Sequence, residues 1–319
     1  MATMMPEILT VTLNPALDIA TTAPQVTAGH KLRCSDPQID PGGGGINVAR
    51  AIIQLGGQAT AFVALGGDTG AHLRRLLDAA GIPIIAHAAP GDTRQSLAVT
   101  DLSINNQFRF MLPGPNWSDA DVASASAAIC ANAPKGGYVV LSGSGPSGTT
   151  ASLYSQLCAD LAGRGVQVVV DTSGAALSHL AEGHAIRPHV LRMDQVEAQE
   201  NSATPLTTRT DTADFASGLV AKGAAEIVII ARGADGNILS DGTNRWFCPA
   251  VNVTVKSKVG AGDSFVGGFT WALAQGNDLQ TALAHGSAAA SAACMTEGTE
   301  LCRRDDFAEC LARTESSPL

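Results

Sequence analysis

The chain is predicted to be an α/β protein, with a mostly parallel sheet lying between helices. Three observations predict it. Short β-rich runs alternate with Ala- and Leu-rich segments of helical length, as in repeated βαβ units. Hydrophobic residues make up 45% of the chain and charged residues only 15%, the balance of a compact core and not of a disordered chain. Glycine supplies 34 of 319 residues, above the usual ~7%, without a collagen period, so many turns are built on it.

In order along the chain, strands are read at 7–13, 59–65, 137–141, 166–171, 189–193 and 226–231. Helices are read at 46–55, 70–80, 119–131, 150–162 and 211–222, with a long helical region at 264–295. Two stretches break the rhythm, 18–40 and 92–111. Within the second, 96–99 and 107–111 read as a hairpin turning at Asn105-Asn106. These stretches form either a small β lid over a cleft or an antiparallel extension of the sheet edge. No repeat or linker divides the 319 residues, so one domain is expected, with a frayed tail at 314–319.

Charge and cysteine content narrow the function classes. Twenty Lys and Arg stand against 29 Asp and Glu, a net charge of −9 that gives no support for a grip on nucleic acid. The seven cysteines are scattered without CxxC spacing, which fits a reducing cytoplasm. The opening MATMMPEILTV has no signal-peptide pattern, and no apolar run reaches the ~18 residues of a membrane span, so a cytoplasmic protein is expected.

The sharpest local signal is Val259-Gly260-Ala261-Gly262-Asp263-Ser264, small residues entering a helix. Converging backbone N–H groups at the positive end of a helix dipole form an anion hole suited to a transferring phosphoryl group. Asp263 beside such a hole needs a reason: it accepts a proton from an attacking hydroxyl, or it is an ordinary N-cap. A second glycine run, Pro41-Gly42-Gly43-Gly44-Gly45-Ile46-Asn47, also enters a helix, where Asn47 can reach a sugar hydroxyl. Asp194 and Glu197, spaced i, i+3 at a helix start, suit Mg²⁺ or simply form a solvated face. Lys31, Arg33, Arg94 and Arg109 supply the cations that a sugar phosphate requires, or are scattered surface charges. Gly143-Ser144-Gly145-Pro146-Ser147-Gly148 satisfies GxGxxG, the mark of a dinucleotide oxidoreductase, but Pro146 removes one donor and the motif lies mid-chain. A P-loop and a zinc-protease motif are both absent from the sequence.

Taken in order, these motifs resemble the PfkB/ribokinase family of sugar kinases over nearly the whole length. The resemblance rests on Thr12-Leu13-Asn14-Pro15-Ala16-Leu17-Asp18, Lys31-Leu32-Arg33-Cys34, the Pro41 to Arg50 run, Thr93-Arg94-Gln95, Arg109-Phe110, Ser142-Gly143-Ser144, the Val259 to Ser264 run and Gly298-Thr299. It implies a ribokinase-like, doubly wound sheet flanked by helices, with a small β lid that mediates a homodimer. It also implies MgATP-dependent phosphorylation of a sugar phosphate, in the branch that acts on the C1 hydroxyl of fructose 6-phosphate. Kinases of fructose 1-phosphate or tagatose 6-phosphate are the nearest rivals, and a noncatalytic sugar-phosphate sensor is an alternative from another class.

Carried over residue by residue, the resemblance implies Asp263 as the base and Gly260, Ala261 and Gly262 as the anion hole. It implies Asp18, Gly43 and Asn47 on sugar hydroxyls, and Lys31 between the phosphoryl group and the sugar. Arg94 and Ser144, with Arg109, would take the phosphate already on the substrate. Arg232, Gly233 and Gly236, with Gly260 and Gly262, would line the nucleotide. Mg²⁺ would be held by Asp194 and Glu197, with a monovalent cation such as K⁺ as a further ligand. Two departures stand out: Arg192-Met193-Asp194 replaces the usual Lys-Pro-Asn, and Ala231 replaces a common hydroxyl residue.

Overall fold

The computed structural model describes residues 7–319. The first half of the chain contains β1 (Ile8–Thr12), β2 (Ala16–Ala23), β3 (Gln38–Gly42), α1 (Gly44–Gln54), β4 (Thr60–Leu65), α2 (Gly67–Ala79), β5 (Ile84–Ala88), β6 (Arg94–Asp101), β7 (Asn106–Met111) and α3 (Asp119–Asn132). There follow β8 (Tyr138–Ser142), α4 (Leu153–Leu161), β9 (Gln167–Asp171), α5 (Gly174–Ala181), β10 (Val190–Met193), α6 (Gln195–Glu200), α7 (Arg209–Lys222) and β11 (Ile227–Ala231). The chain closes with β12 (Gly236–Ser240), β13 (Arg245–Pro249), α8 (Ala261–Ala274), α9 (Leu279–Cys294), α10 (Arg304–Ala312) and β14 (Ser317–Pro318).

The large sheet has the order β14-β13-β12-β11-β10-β9-β8-β1-β4-β5. It is parallel from β5 to β11 and antiparallel from β11 to β14. Its inner strands are mostly apolar because both faces are covered, and successive side chains enter different cores. Val139, Leu141, Val168, Val170, Val228 and Ile230 pack in one core with α4, α5 and α7. Val140, Val169, Ile227 and Ile229 enter the other, against α1, α2, α8 and α9. The fold is the doubly wound α/β arrangement.

Residues from both rhythm-breaking stretches form a second sheet, ordered β3-β2-β6-β7. Its cross-strand register sorts the side chains. Asp40, Asp18 and Ser96 share one face with Arg94 and Arg109, whereas Ile39, Ile19, Leu97 and Phe110 share the other. The hairpin turn bends through Asn105, whose φ of 52° lies in the left-handed region that Asn tolerates.

Two expectations need correction. The 264–295 region is two helices: α8 stops at Ala274, and Asp278 caps α9 by accepting from the Thr281 amide at 2.8 Å. Gly276-Asn277-Asp278 combines a glycine that permits a turn with a strong cap, which outweighs the Ala-rich pattern on either side. The tail is also ordered. Ser317 and Pro318 pair with Phe247 and Trp246 of β13, and Ser316 is buried, so the end of the chain covers the sheet edge. Strands β5, β12, β13 and β14 and helices α5 and α10 are elements that the sequence pattern does not predict.

A candidate active site at the carboxyl ends of the strands

β1, β8, β9, β10 and β11 all end on one side of the large sheet, and the loops that leave them carry the polar residues. The helix that closes this edge is α1. It sits directly on the sheet because Gly45 has no side chain: a Cβ there would lie 2.4 Å from the Val11 carbonyl oxygen. The Ile46 amide accordingly donates to Thr12 Oγ1 at 2.9 Å. This seating brings Asn47 to face α8. Gly43, at the N-cap of α1, and Asn47 are both partly accessible from the site.

At the start of α8, Gly260 adopts a left-handed φ of 75° and forms the N-cap without a side-chain cap. The amides of Gly262 and Asp263 donate to no acceptor among the described residues, whereas the Ala261 amide, expected in the anion hole, donates to the Lys258 carbonyl at 3.4 Å. The Gly262 and Asp263 amides are the open donors of an anion hole. Asp263 is not the cap, so that reading of it falls. It stands in the first turn, and its Oδ2 accepts from Asn47 Nδ2 at 2.9 Å. Burial chiefly, and Asp171 nearby, push the Asp263 carboxyl up to about 6, against the Asn47 hydrogen bond and the charges of Arg192 and Arg50. A carboxylate poised there is a base in the neutral range.

Arg94, Asn14 and Ser144 are also brought together. Arg94 Nε donates to the Asn14 carbonyl at 3.2 Å, and Asn14 Nδ2 donates to Ser144 Oγ at 3.4 Å and to the Gly145 carbonyl at 3.2 Å. Asp18 lies on the polar face of the small sheet. Burial raises its carboxyl above the ordinary range, opposed by Arg94, Arg109 and a hydrogen bond from Ser96. Arg109 is exposed on β7, and Lys31 and Arg33 lie in the exposed loop between β2 and β3. Lys31 has no hydrogen-bonding or ion-pair partner among the described residues.

Asp194 and Glu197 form a reciprocal capping box. Asp194 Oδ1 accepts from the Val196 and Glu197 amides at 2.8 and 2.9 Å, and Glu197 Oε2 accepts from the Asp194 amide at 2.7 Å. Each carboxylate keeps its other oxygen. Two such oxygens fit Mg²⁺, which prefers few carboxylates completed by waters and substrate phosphates. No cluster of three or more His, Cys, Asp or Glu able to hold a metal occurs among the described residues.

Arg232 is turned inward. Its guanidinium donates to Asp235 Oδ2 at 2.9 Å, to the Thr207 and Thr208 carbonyls and to Thr212 Oγ1, tying the turn after β11 to the start of α7. Gly233 is exposed in that turn, and Gly236 opens β12. The GxGxxG segment does not open a helix. Gly143 donates to the Asp171 carbonyl, Ser147 bridges to Asn116, and α4 begins only at Leu153. A dinucleotide turn would lead straight into its helix, so the oxidoreductase reading has no structural support.

Asn14, Arg50 and Arg192 carry no role in the sequence analysis, and Asp171 enters it only as the acidic residue that a dinucleotide site would place after Gly143 to Gly148. The available signal for two of them was charge inside an apolar strand: Asp171 ends Val-Val-Val-Asp, and Arg192 interrupts Val-Leu-Arg-Met.

Residues 11–306 match the model of the pfkB family carbohydrate kinases. The chain is 38% identical over 303 residues to ATP-dependent 6-phosphofructokinase isozyme 2 of Escherichia coli K12, covering 95% of this chain and 97% of the relative. Crystal structures of Escherichia coli phosphofructokinase-2 align over 97% of this chain and 99% of theirs. The TM-score is 0.90 for the complex with potassium, at 37% identity, and 0.88 for the complex with fructose-6-phosphate, at 36%. The 1-phosphofructokinase of Xanthomonas campestris pv. campestris is 31% identical over 266 residues, covering 83% of each chain.

Proposed function

Because the chain belongs to the pfkB family of carbohydrate kinases, we propose that it transfers the γ-phosphoryl group of MgATP to the C1 hydroxyl of fructose 6-phosphate, forming fructose 1,6-bisphosphate. The observation that carries this reading is the contact of Asp263 with Asn47 beside the two open amides of α8. The sugar's primary hydroxyl gives its proton to Asp263 as it attacks, and the amides of Gly262 and Asp263, aligned with the helix dipole, receive the charge on the moving phosphoryl group. The loose transition state of phosphoryl transfer leaves positioning and charge compensation as the main tasks.

Arg94, with Ser144 and Asn14, supports a pocket for the 6-phosphate, and Asp18, Gly43 and Asn47 lie where hydroxyls of a sugar so oriented would be held. Mg²⁺, held by Asp194 and Glu197 with the nucleotide phosphates, would neutralise the charge on those phosphates. We take the small sheet as a lid whose β2–β3 loop carries Lys31 toward the phosphoryl group on closure, and Gly233 and Gly236 as part of the nucleotide edge. The inward Arg232 acts there through the turn it ties. A monovalent cation such as K⁺ is part of this reading. So is a homodimer formed through the lid, supported by the exposed Phe108 and Phe110 on the apolar face of β7. No helix among the described residues is long and apolar enough to cross a membrane, and a cytoplasmic setting completes the proposal.

The test is ADP release with MgATP and, separately, fructose 6-phosphate, fructose 1-phosphate and tagatose 6-phosphate. Fructose 6-phosphate is expected to rank first in kcat/KM. First rank for fructose 1-phosphate would keep the chemistry and move the activity to that of the second relative, and binding without turnover of any sugar would leave a sensor. Arg94→Ala is expected to raise the KM for the sugar phosphate at least tenfold with a smaller change in kcat. An unchanged KM would move the phosphate pocket elsewhere.

A further inference from the structure

Val190, Leu191 and Met193 of β10 are fully buried, yet Arg192 stands among them. Its Nη1 donates to Asp171 Oδ1 at 3.1 Å, across the adjacent strand and in register with it. The same guanidinium lies against the first turn of α8: a Cβ on Gly262 would be 3.0 Å from Nη1 and 3.3 Å from Nη2. Nε is buried and donates to no acceptor among the described residues. A guanidinium held in the interior by one carboxylate, with one N–H unmatched, is a poor device for stability. Its position beside Asp263 gives it another use.

The groups that face Asp263 can be named from each element around it. Asn47 on α1 donates to it, Arg192 on β10 lies against the preceding residue, Gly262, and the charges of Asp171 on β9 and Arg50 on α1 also act on it. Arg50 is itself faced by Asp40 and Asp18, and Arg192 by Glu197. Asp171 and Arg192 therefore act on Asp263 with opposite sign. Without Arg192, two partly buried carboxylates would face each other with only Arg50, already shared with two other carboxylates, to compensate.

We propose that Asp171 and Arg192 are a positioning pair for Asp263: Asp171 fixes the guanidinium under the first turn of α8, and the guanidinium holds Asp263 as the carboxylate that can accept a proton. The proposal deepens the kinase reading and rests on Asp263 as its base. It also gives Gly262 a second reason to be glycine, since any side chain there would displace the guanidinium.

The test titrates Asp263 in the unliganded protein, by NMR of [γ-¹³C]aspartate with the Asp263→Asn variant to assign the signal. Arg192→Met is expected to titrate about one pH unit above the parent, Arg192→Lys close to the parent, and Asp171→Asn about one pH unit below it. Asp171→Asn keeps the shape and an accepting oxygen, so the pair remains testable if Arg192→Met fails to fold. Parental titration of both, or shifts of the same sign, would overturn the proposal. The acid limb of kcat/KM is expected to move in the same order. If the NMR titrations separate and the acid limb does not, Asp263 is not the base; the kinase reading then loses its base while the coupling of the three side chains stands.

Discussion

Replacing Asp263 with Asn is expected to lower turnover by about a thousandfold, within the range that positioned bases contribute, with little change in sugar-phosphate affinity. The same substitution is expected to stabilise the fold. The carboxyl titrates at about 6 in the folded chain, against an ordinary value of 3.8, so the native state binds this proton more tightly than the unfolded state does. Stability therefore falls as pH rises through this window. The penalty is absent below about pH 4 and complete above about pH 6, where it is on the order of 3 kcal/mol. Asn removes it, so Tm should rise at pH 8 and match the parent near pH 4. An unchanged or lowered Tm at pH 8 would contradict the burial argument, and near-normal turnover would take Asp263 out of the base role.

Gly45→Ala is expected to act in the opposite direction on stability. The added Cβ would meet the Val11 carbonyl oxygen at 2.4 Å, Val11 being in the middle of the sheet and unable to give way. Helix α1 has to lift, at a cost of about 3 kcal/mol, and Asn47 lifts with it. Urea unfolding should show the loss as a lowered midpoint at constant slope, and turnover of the folded fraction should also drop because Asn47 leaves Asp263. A midpoint equal to that of the parent would mean that α1 does not depend on this close approach.

The inner parallel strands were legible because they are covered on both faces and read as short, mostly apolar runs. β5, β12 and β13 were not: β5 is only partly buried at the far edge of the sheet, Gly236 and Asn237 interrupt the apolar pattern of β12 although it is buried along its whole length, and β13 opens on Arg245. The open helix start at Gly260 was legible because small residues and a helix entry stand next to one another in the chain. Asp171 and Arg192 are 21 residues apart and meet only through strand register. Asn14 likewise reaches Ser144 across 130 residues, a contact that no local spacing announces. The i, i+3 spacing of Asp194 and Glu197 fits a metal pair or a solvated face, and the structure shows that it also encodes a capping box.

The strand order of the large sheet has a kinetic consequence. From β1 outward through β8, β9, β10, β11, β12, β13 and β14, each strand joins the one made just before it among those on that side. Once β8 has paired with β1, a chain emerging from the ribosome can therefore extend this half as far as β13 by successive additions of strands near in sequence, whereas β14 returns to the sheet only after α8, α9 and α10. During that growth the newest strand is an open edge, and the last edge is covered only when Ser317 and Pro318 emerge. Helix α8 belongs to the same late stage, and it packs on α1, made some two hundred residues earlier. The contact between Asn47 and Asp263 is thus among the last to form, so a nascent or C-terminally truncated chain can hold most of a folded sheet and still have no functioning site.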